Sequence, residues 1–325
     1  MYSRIGSPRV NLFQQGNPHI MKIGIIGLPQ TGKKTIFRLL TGAQHIPDSQ
    51  DGRKRIEGFA DIKDPRFDTL VTLYEPRKTV RARVHLDLVP DLSPEAIREG
   101  AIFRDIADTD AMLHVVRGFT DESVYHVNGS VNPGRDIESV NAELIMHDLI
   151  FVEKRMERIE KEKSRGKDDR LKKESEVMER FKAHLEQELP LRVLDITPEE
   201  QKLLSGYPFI TTKAMLVALN VSDEAIGDAS LTDSLAAKYE SQRISFMRIS
   251  AKLESEISQL ESDDEREEFM QSAGIAEPAV NLLSRMCMRS LGLISFFTVG
   301  KDEVRQWLLR AGTLAPEAGG VIHTD

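Results

Sequence analysis

A chain of 325 residues with 40% hydrophobic and 30% charged side chains can bury a sizeable core and has room for two or three domains. Its formal net charge of −8 and pI near 5.6 argue against broad nucleic-acid binding, and no sequence-specific DNA contact is expected. The single cysteine, Cys287, excludes an intrachain disulfide, fits a reducing cytoplasm and reads as a small buried apolar residue. No run approaches the ~18 apolar residues of a membrane span, so no membrane association is expected.

Residues 1–20 lack the apolar centre of a secretory signal and read as a disordered N-terminal extension, with Met21 opening the folded part. Ile23, Ile25 and Ile26 form a β-branched run that predicts a buried strand. After Lys33, the residues Ile36, Phe37, Leu39 and Leu40 fall on one helical face, and Gly42 is placed to end the helix. Between strand and helix stands Gly27-Leu28-Pro29-Gln30-Thr31-Gly32-Lys33, the G-x-x-x-x-G-K pattern of a phosphate-binding loop. Its glycines let backbone N–H groups approach phosphate oxygens, Lys33 supplies a point charge, and the helix N-terminus adds its dipole. Lys33 is therefore the expected contributor to any catalysis.

The residue after the loop lysine should carry the hydroxyl that coordinates Mg²⁺, yet Lys34 stands there. Thr35 lies one step on, turned by about 100° around the helix, and does not simply take over. Lys34 is expected to place an ammonium near the metal position instead, which makes Mg²⁺ doubtful as a cofactor. The polar stretch Ala43 to Gly58 reads as an exposed connector, with no threonine between Gly42 and Asp68 to sense a γ-phosphate. Thr79 to Val89 predicts one strand ending near Asp87, the candidate metal ligand. In GTPases such an Asp opens D-x-x-G; here the fourth residue is Pro90, which has no N–H to give a phosphate.

Asp110 to Phe119 predicts another buried strand, in which His114 reads as a packed core residue rather than a base. From Ile137 the pattern becomes helical: Ile145, Leu149, Val152, Met156 and Ile159 repeat as a heptad seam. Ser164 to Asp169 breaks it, and Leu171, Met178, Phe181 and Leu185 resume, as in an antiparallel helical hairpin. A solvated structural arm and a docking arm for a large partner both fit that pattern. Lys213 to Leu219 predicts a strand leading to Asn220-Val221-Ser222-Asp223, where guanine-nucleotide proteins carry Asn-Lys-x-Asp. Asp223 suits a guanine edge, but Val221 replaces the lysine that covers the base. The strand Ile244 to Ile249 leads to Ser250, Ala251 and Lys252, a candidate backbone contact to the base. Glu261 to Glu268 reads as a solvated loop and helix start, Met270 to Ser290 as helix, and Leu291 to Val299 and Val304 to Leu309 as strands before a Gly/Pro-rich tail. That end holds too few strands for an independent domain.

These residues resemble the YchF or Obg-like ATPase family of P-loop proteins. The resemblance is carried by Gly27 to Thr35, Asp64 to Asp68, Asp110 to Phe119, Ile137 to Lys154, the Asn220 motif, Ile249 to Ile257 and Leu291 to Asp325. It implies an α/β fold: a three-layer P-loop domain (residues 21–136 and 206–289), a helical coiled-coil insertion (137–205) and a partial ubiquitin-like β-grasp, or TGS, part (290–325). It also implies ATP hydrolysis, often with ATP preferred over GTP, and association with ribosomes or other translation and stress machinery, met through the hairpin and C-terminal part. Gln30, Thr31, Gly32, Lys33, Lys34 and Thr35 would hold phosphates, and Val221 would meet the base. Against relatives, the second switch is shortened to Asp91 to Glu95, and the chain stops where they continue. Three readings follow: an active NTPase, a nucleotide binder with weak or absent hydrolysis, and a P-loop fold that binds nothing. The lost metal and γ-phosphate contacts favour the second.

Overall fold

The computed structural model describes residues 21–43, 54–164 and 168–322. Its main sheet has six strands: β1 (Lys22–Ile26), β2 (Ile56–Asp61), β4 (Arg83–Leu88), β5 (Ala111–Arg117), β6 (Ala214–Asn220) and β7 (Ile244–Ile249). The spatial order is β2-β4-β1-β5-β6-β7, parallel throughout except for the antiparallel edge strand β2. Strands covered on both faces need apolar side chains in both directions, and β1 and β5 show it: Ile23, Ile25, Ala111, Leu113 and Val115 face one core, Ile26, Met112 and Val116 the other. The first core lies under α1 (Lys33–Thr41), whose Ile36, Phe37 and Leu40 are buried. The second lies under the helices that follow β4 and β5. Three α/β/α layers result, as expected. Because β4 and β5 flank β1, the strand order reverses at the carboxyl end of β1, where open α/β sheets form their ligand crevice.

Several boundaries correct the sequence reading. The connector expected through Gly58 contains the start of β2; its residues 44–53 lie outside the described residues. Helix α2 (Pro65–Tyr74) follows, its N-terminus capped by Asp64, which accepts from the Arg66 N–H. The single strand expected over Thr79–Val89 is two. β3 (Lys78–Val80) leaves the main sheet and pairs in parallel with β9 (Glu303–Arg310), which pairs antiparallel with β8 (Leu293–Val299). The C-terminal strands thus recruit a third from far upstream, and α2 fastens this small sheet through Phe67, which meets the Phe297 ring at 6.2 Å beneath the Arg81 guanidinium.

Two short helices, α3 (Pro94–Glu99) and α4 (Ala101–Ala107), separate β4 from β5. The hairpin is α5 (Pro133–Lys163) and α6 (Asp169–Leu185). Arg155 pairs with Glu174 and Lys182 with Glu153, the descending register of antiparallel helices. Ile145, Val152, Ile159, Met178, Phe181 and Leu185 form a core of their own, but the first turns of α5 (Ile137, Val140, Leu144) pack against the main sheet. The first turns of α5 therefore belong to the main-sheet core, and the hairpin's own core begins near Ile145. Helices α7 (Pro198–Leu204), α8 (Ser230–Lys238) and α9 (Ala251–Ser258) follow. The helix expected over Met270–Ser290 is interrupted: α10 (Asp263–Ser272) ends before Gly274, at φ 69°, and α11 (Ala279–Ser290) restarts after Pro278. The Gly/Pro-rich tail holds α12 (Ala315–Ile322).

Candidate functional site

At the carboxyl end of β1 the chain must turn sharply beneath α1. Two glycines allow it. A Cβ at Gly27 would stand 2.5 Å from the Val115 carbonyl, and Gly32, at φ 93°, would drive a Cβ into the Asn220 amide. Gln30 adopts φ 61° in the same turn, a left-handed conformation costing a non-glycine residue about 1–2 kcal/mol. The Thr31 hydroxyl turns inward and donates to the Leu28 carbonyl at 3.1 Å, so it braces the loop rather than facing a ligand. No acidic residue stands in the first turn of α1, which leaves its N–H groups available to an anion.

Lys33 is buried. Its ammonium donates to the carbonyls of Val89 and Pro90, each at 3.1 Å, and pairs with Asp91 Oδ1 at 2.9 Å. Burial pushes its pKa below the usual lysine range, Asp91 works against that shift, and Lys34 adds to it. Lys34 itself is exposed and Thr35 half-buried. The segment after β4 is tied to the loop by the Val89 N–H on Ile25 O and the Leu92 N–H on Gly27 O.

Asp87 stands away from the Gly27–Lys33 loop, not beside it as a metal ligand of that loop would. On β4 the residues Val84, Leu86 and Leu88 face the first core, so His85 and Asp87 face the other way. The Asp87 carboxylate is fully buried beside Lys22 (3.3 Å), His85 (3.3 Å) and Arg55 (3.7 Å). Lys22 opens β1, at the far end from the phosphate loop. The D-x-x-G frame anchored on Asp87 is displaced with it: the residues reaching Lys33 are Val89, Pro90 and Asp91. Asp91 is the residue that the sequence reading missed as a site group. Its signal was that a strand ending at Leu88 must carry residues 89–92 across the loop.

Mg²⁺ does not fit the donors present at this loop. Lys34 replaces the ligating hydroxyl, the Thr31 hydroxyl is spent on Leu28, and Asp91 is committed to Lys33.

The structure brings Asn220, Asp223, Ser250, Ala251 and Lys252 together. The Asn220 amide donates to Thr31 O (3.0 Å) and its carbonyl accepts from the Ala251 N–H (3.0 Å), which joins the phosphate loop to α9. The Asp223 carboxylate accepts from the Ser250 hydroxyl (2.5 Å) and pairs with Lys252 (3.3 Å). Val221 packs into the second core, so its side chain is turned away from any base. His114 is buried in β5, where burial and the nearby Lys33 charge lower its pKa to about 3.

Comparison with known proteins agrees with this architecture. The chain is 35% identical over 311 residues to "Ribosome-binding ATPase YchF" of Bacillus subtilis (strain 168), covering 93% of this chain and 84% of that relative. The YchF of Escherichia coli O157:H7 is likewise 35% identical, with 94% and 85% covered. This chain belongs to the YchF family. "Obg-like ATPase 1" of Oryza sativa subsp. indica is 32% identical over 320 residues, covering 94% and 79%. The structure of the Schizosaccharomyces pombe YchF GTPase superposes with a TM-score of 0.79 at 28% identity, covering 98% of this chain and 87% of that one. The family model for the YchF GTPase C-terminal region, described as a protein of unknown function (DUF933), matches residues 293–325. The YchF fold thus holds here even though the loop hydroxyl does not.

Proposed function

We propose that this YchF-family chain is a purine-nucleotide-binding protein with weak or absent hydrolysis, holding ATP or GTP, and the corresponding diphosphates, largely without Mg²⁺. The observation that carries it is the loop itself: two sterically required glycines, a free helix N-terminus and a buried ammonium, with no hydroxyl aimed at a metal. A charge-assisted contact to a transferring phosphoryl group is worth roughly 3 kcal/mol in the transition state, so losing the metal ligands slows hydrolysis far more than binding. Asn220, Asp223, Ser250, Ala251 and Lys252 stand where the base would lie.

Relatives named as ribosome-binding support a ribosomal or other large partner, met through the hairpin and the partial TGS-like sheet, and a cytoplasmic setting. No helix among the described residues is long and apolar enough to cross a membrane.

A second reading, an active ATPase or GTPase, is favoured by one observation: incoming phosphates that displace Asp91 from Lys33 free a carboxylate at the loop. Turnover assays on wild type, Lys33→Ala and Lys34→Ser separate the two. Near-background wild-type turnover that rises in Lys34→Ser supports the first. Wild-type turnover at the level of an intact relative, lost in Lys33→Ala, establishes the second.

A further inference from the structure

β2 and β4 pair with Glu57 directly opposite Asp87 and Phe59 opposite His85. Glu57, His85 and Asp87 therefore share one face, with two carboxylates placed across from each other where like charges repel. His85 Nε2 stands 3.3 Å from Asp87 Oδ1 and 3.7 Å from Glu57 Oε2. All three groups present their ligand atoms within 4.8 Å of one another.

The remaining oxygens point elsewhere. Asp87 Oδ2 is beside Lys22 (3.3 Å) and Arg55 (3.7 Å), while Glu57 Oε1 is beside Arg55 (3.3 Å). Each carboxylate thus has one oxygen near a cation and one directed to the shared centre. Lys22 and Arg55 also bind Asp108, at 2.6 and 2.8 Å, so part of their charge is already matched there. Asp87 is fully buried, yet neither of its oxygens receives a hydrogen bond, and His85 Nε2 makes none. A buried carboxylate held by ion pairs alone, with no hydrogen bond, is costly. The His85 ring is held by stacking on Phe59, with centroids 4.8 Å apart and planes 18° apart.

We infer that Glu57, His85 and Asp87 form a binding site for a divalent transition metal of the zinc class. Ligands ~2.0–2.1 Å from zinc in a tetrahedron stand about 3.3–3.4 Å from one another, close to the His85–Asp87 spacing of 3.3 Å and the His85–Glu57 spacing of 3.7 Å. One imidazole with two carboxylates suits Zn²⁺ or Co²⁺ rather than Mg²⁺, whose preferred donors are oxygens. The charges behind the carboxylates supply the orienting outer contacts that such sites use. Glu57 opens to solvent, so water completes the coordination. A metal there would clamp the edge strand β2 to β4. The site draws on no residue of the phosphate loop and stands whether or not nucleotide binds.

The test is titration of chelator-treated, full-length protein with Zn²⁺ by calorimetry and with Co²⁺ by visible absorption. One equivalent of Zn²⁺ and Co²⁺ d–d bands of a low-coordinate site are expected. His85→Ala and Glu57→Gln should each weaken binding about tenfold or more. Circular dichroism checks folding; should His85→Ala fail to fold, the solvent-facing Glu57→Gln decides. Absence of wild-type binding, or undiminished affinity in Glu57→Gln, overturns the site.

Discussion

Replacing Asp91 by asparagine removes the carboxylate that pairs with the phosphate-loop ammonium at 2.9 Å while keeping its size. Any phosphate that reaches Lys33 must take that place, so the wild type loses the Lys33–Asp91 contact on binding. A charge-assisted hydrogen bond contributes about 1.5–3 kcal/mol. Because the Asp91 side chain is 51% exposed, solvent screening reduces this to roughly 1–2 kcal/mol. Asp91→Asn should therefore bind ADP and ATP about 5–30-fold more tightly. The same change leaves a buried ammonium with its two carbonyl contacts alone, so the melting temperature should fall as affinity rises. Calorimetric titration without Mg²⁺, paired with thermal unfolding, reads both. Unchanged or weaker nucleotide affinity in a folded Asp91→Asn protein would refute the idea that this carboxylate competes with phosphate.

Gly32→Ala should abolish nucleotide binding in a still-folded protein, because its Cβ meets the Asn220 amide; equilibrium dialysis against labelled nucleotide checks this. Asn220→Ala cuts both ties between the loop and α9 and should weaken binding about thirtyfold, at ~1 kcal/mol for each hydrogen bond lost. His114 has a folded pKa of about 3 against 6.5 unfolded, so the unfolded chain binds the extra proton between those values. Its burial then destabilises the protein as pH falls from 6.5 towards 3, by an amount on the order of 4 kcal/mol, and leaves stability unaffected above 6.5. His114→Leu should flatten the acid limb of a melting-temperature profile, and an unchanged limb would contradict this. Phe181→Ala empties the centre of the hairpin core and should cost about 3–5 kcal/mol, read by chemical denaturation.

The parts of the fold that local pattern determines were legible in the sequence. Ile23 to Ile26 and Ala111 to Arg117 are largely apolar runs whose burial on both faces leaves one assignment. The seam from Ile145 to Ile159 can only be a helix face. What escaped depends on partners far away in the chain. β3 looks continuous with β4 because Val80, Ala82 and Val84 alternate without a break, and its true partner lies more than two hundred residues downstream in β9. β2 hides among polar residues because an edge strand needs little burial: Glu57 and Phe59 are exposed. At the loop, the motif pointed to Gly27, Gly32, Lys33 and Asn220, and the structure brings Gly32 and Asn220 into contact. Asp87, read as a metal ligand beside the loop, lies away from it because a strand face, set by alternation with Leu86 and Leu88, decides where a carboxylate points. Asp91 was missed because its role arises only when the loop after β4 closes over Lys33.

The central claim is that a backbone cradle and the Lys33 ammonium hold a polyphosphate without a metal. It is tested most directly by titrating ATP, ADP, GTP and GDP into the wild-type protein with Mg²⁺ and with a chelator. The account predicts binding of comparable strength under both conditions, with no triphosphate preference and with loss in Lys33→Ala. Binding confined to Mg²⁺-containing buffer, or no affinity for any of the four nucleotides, would contradict it.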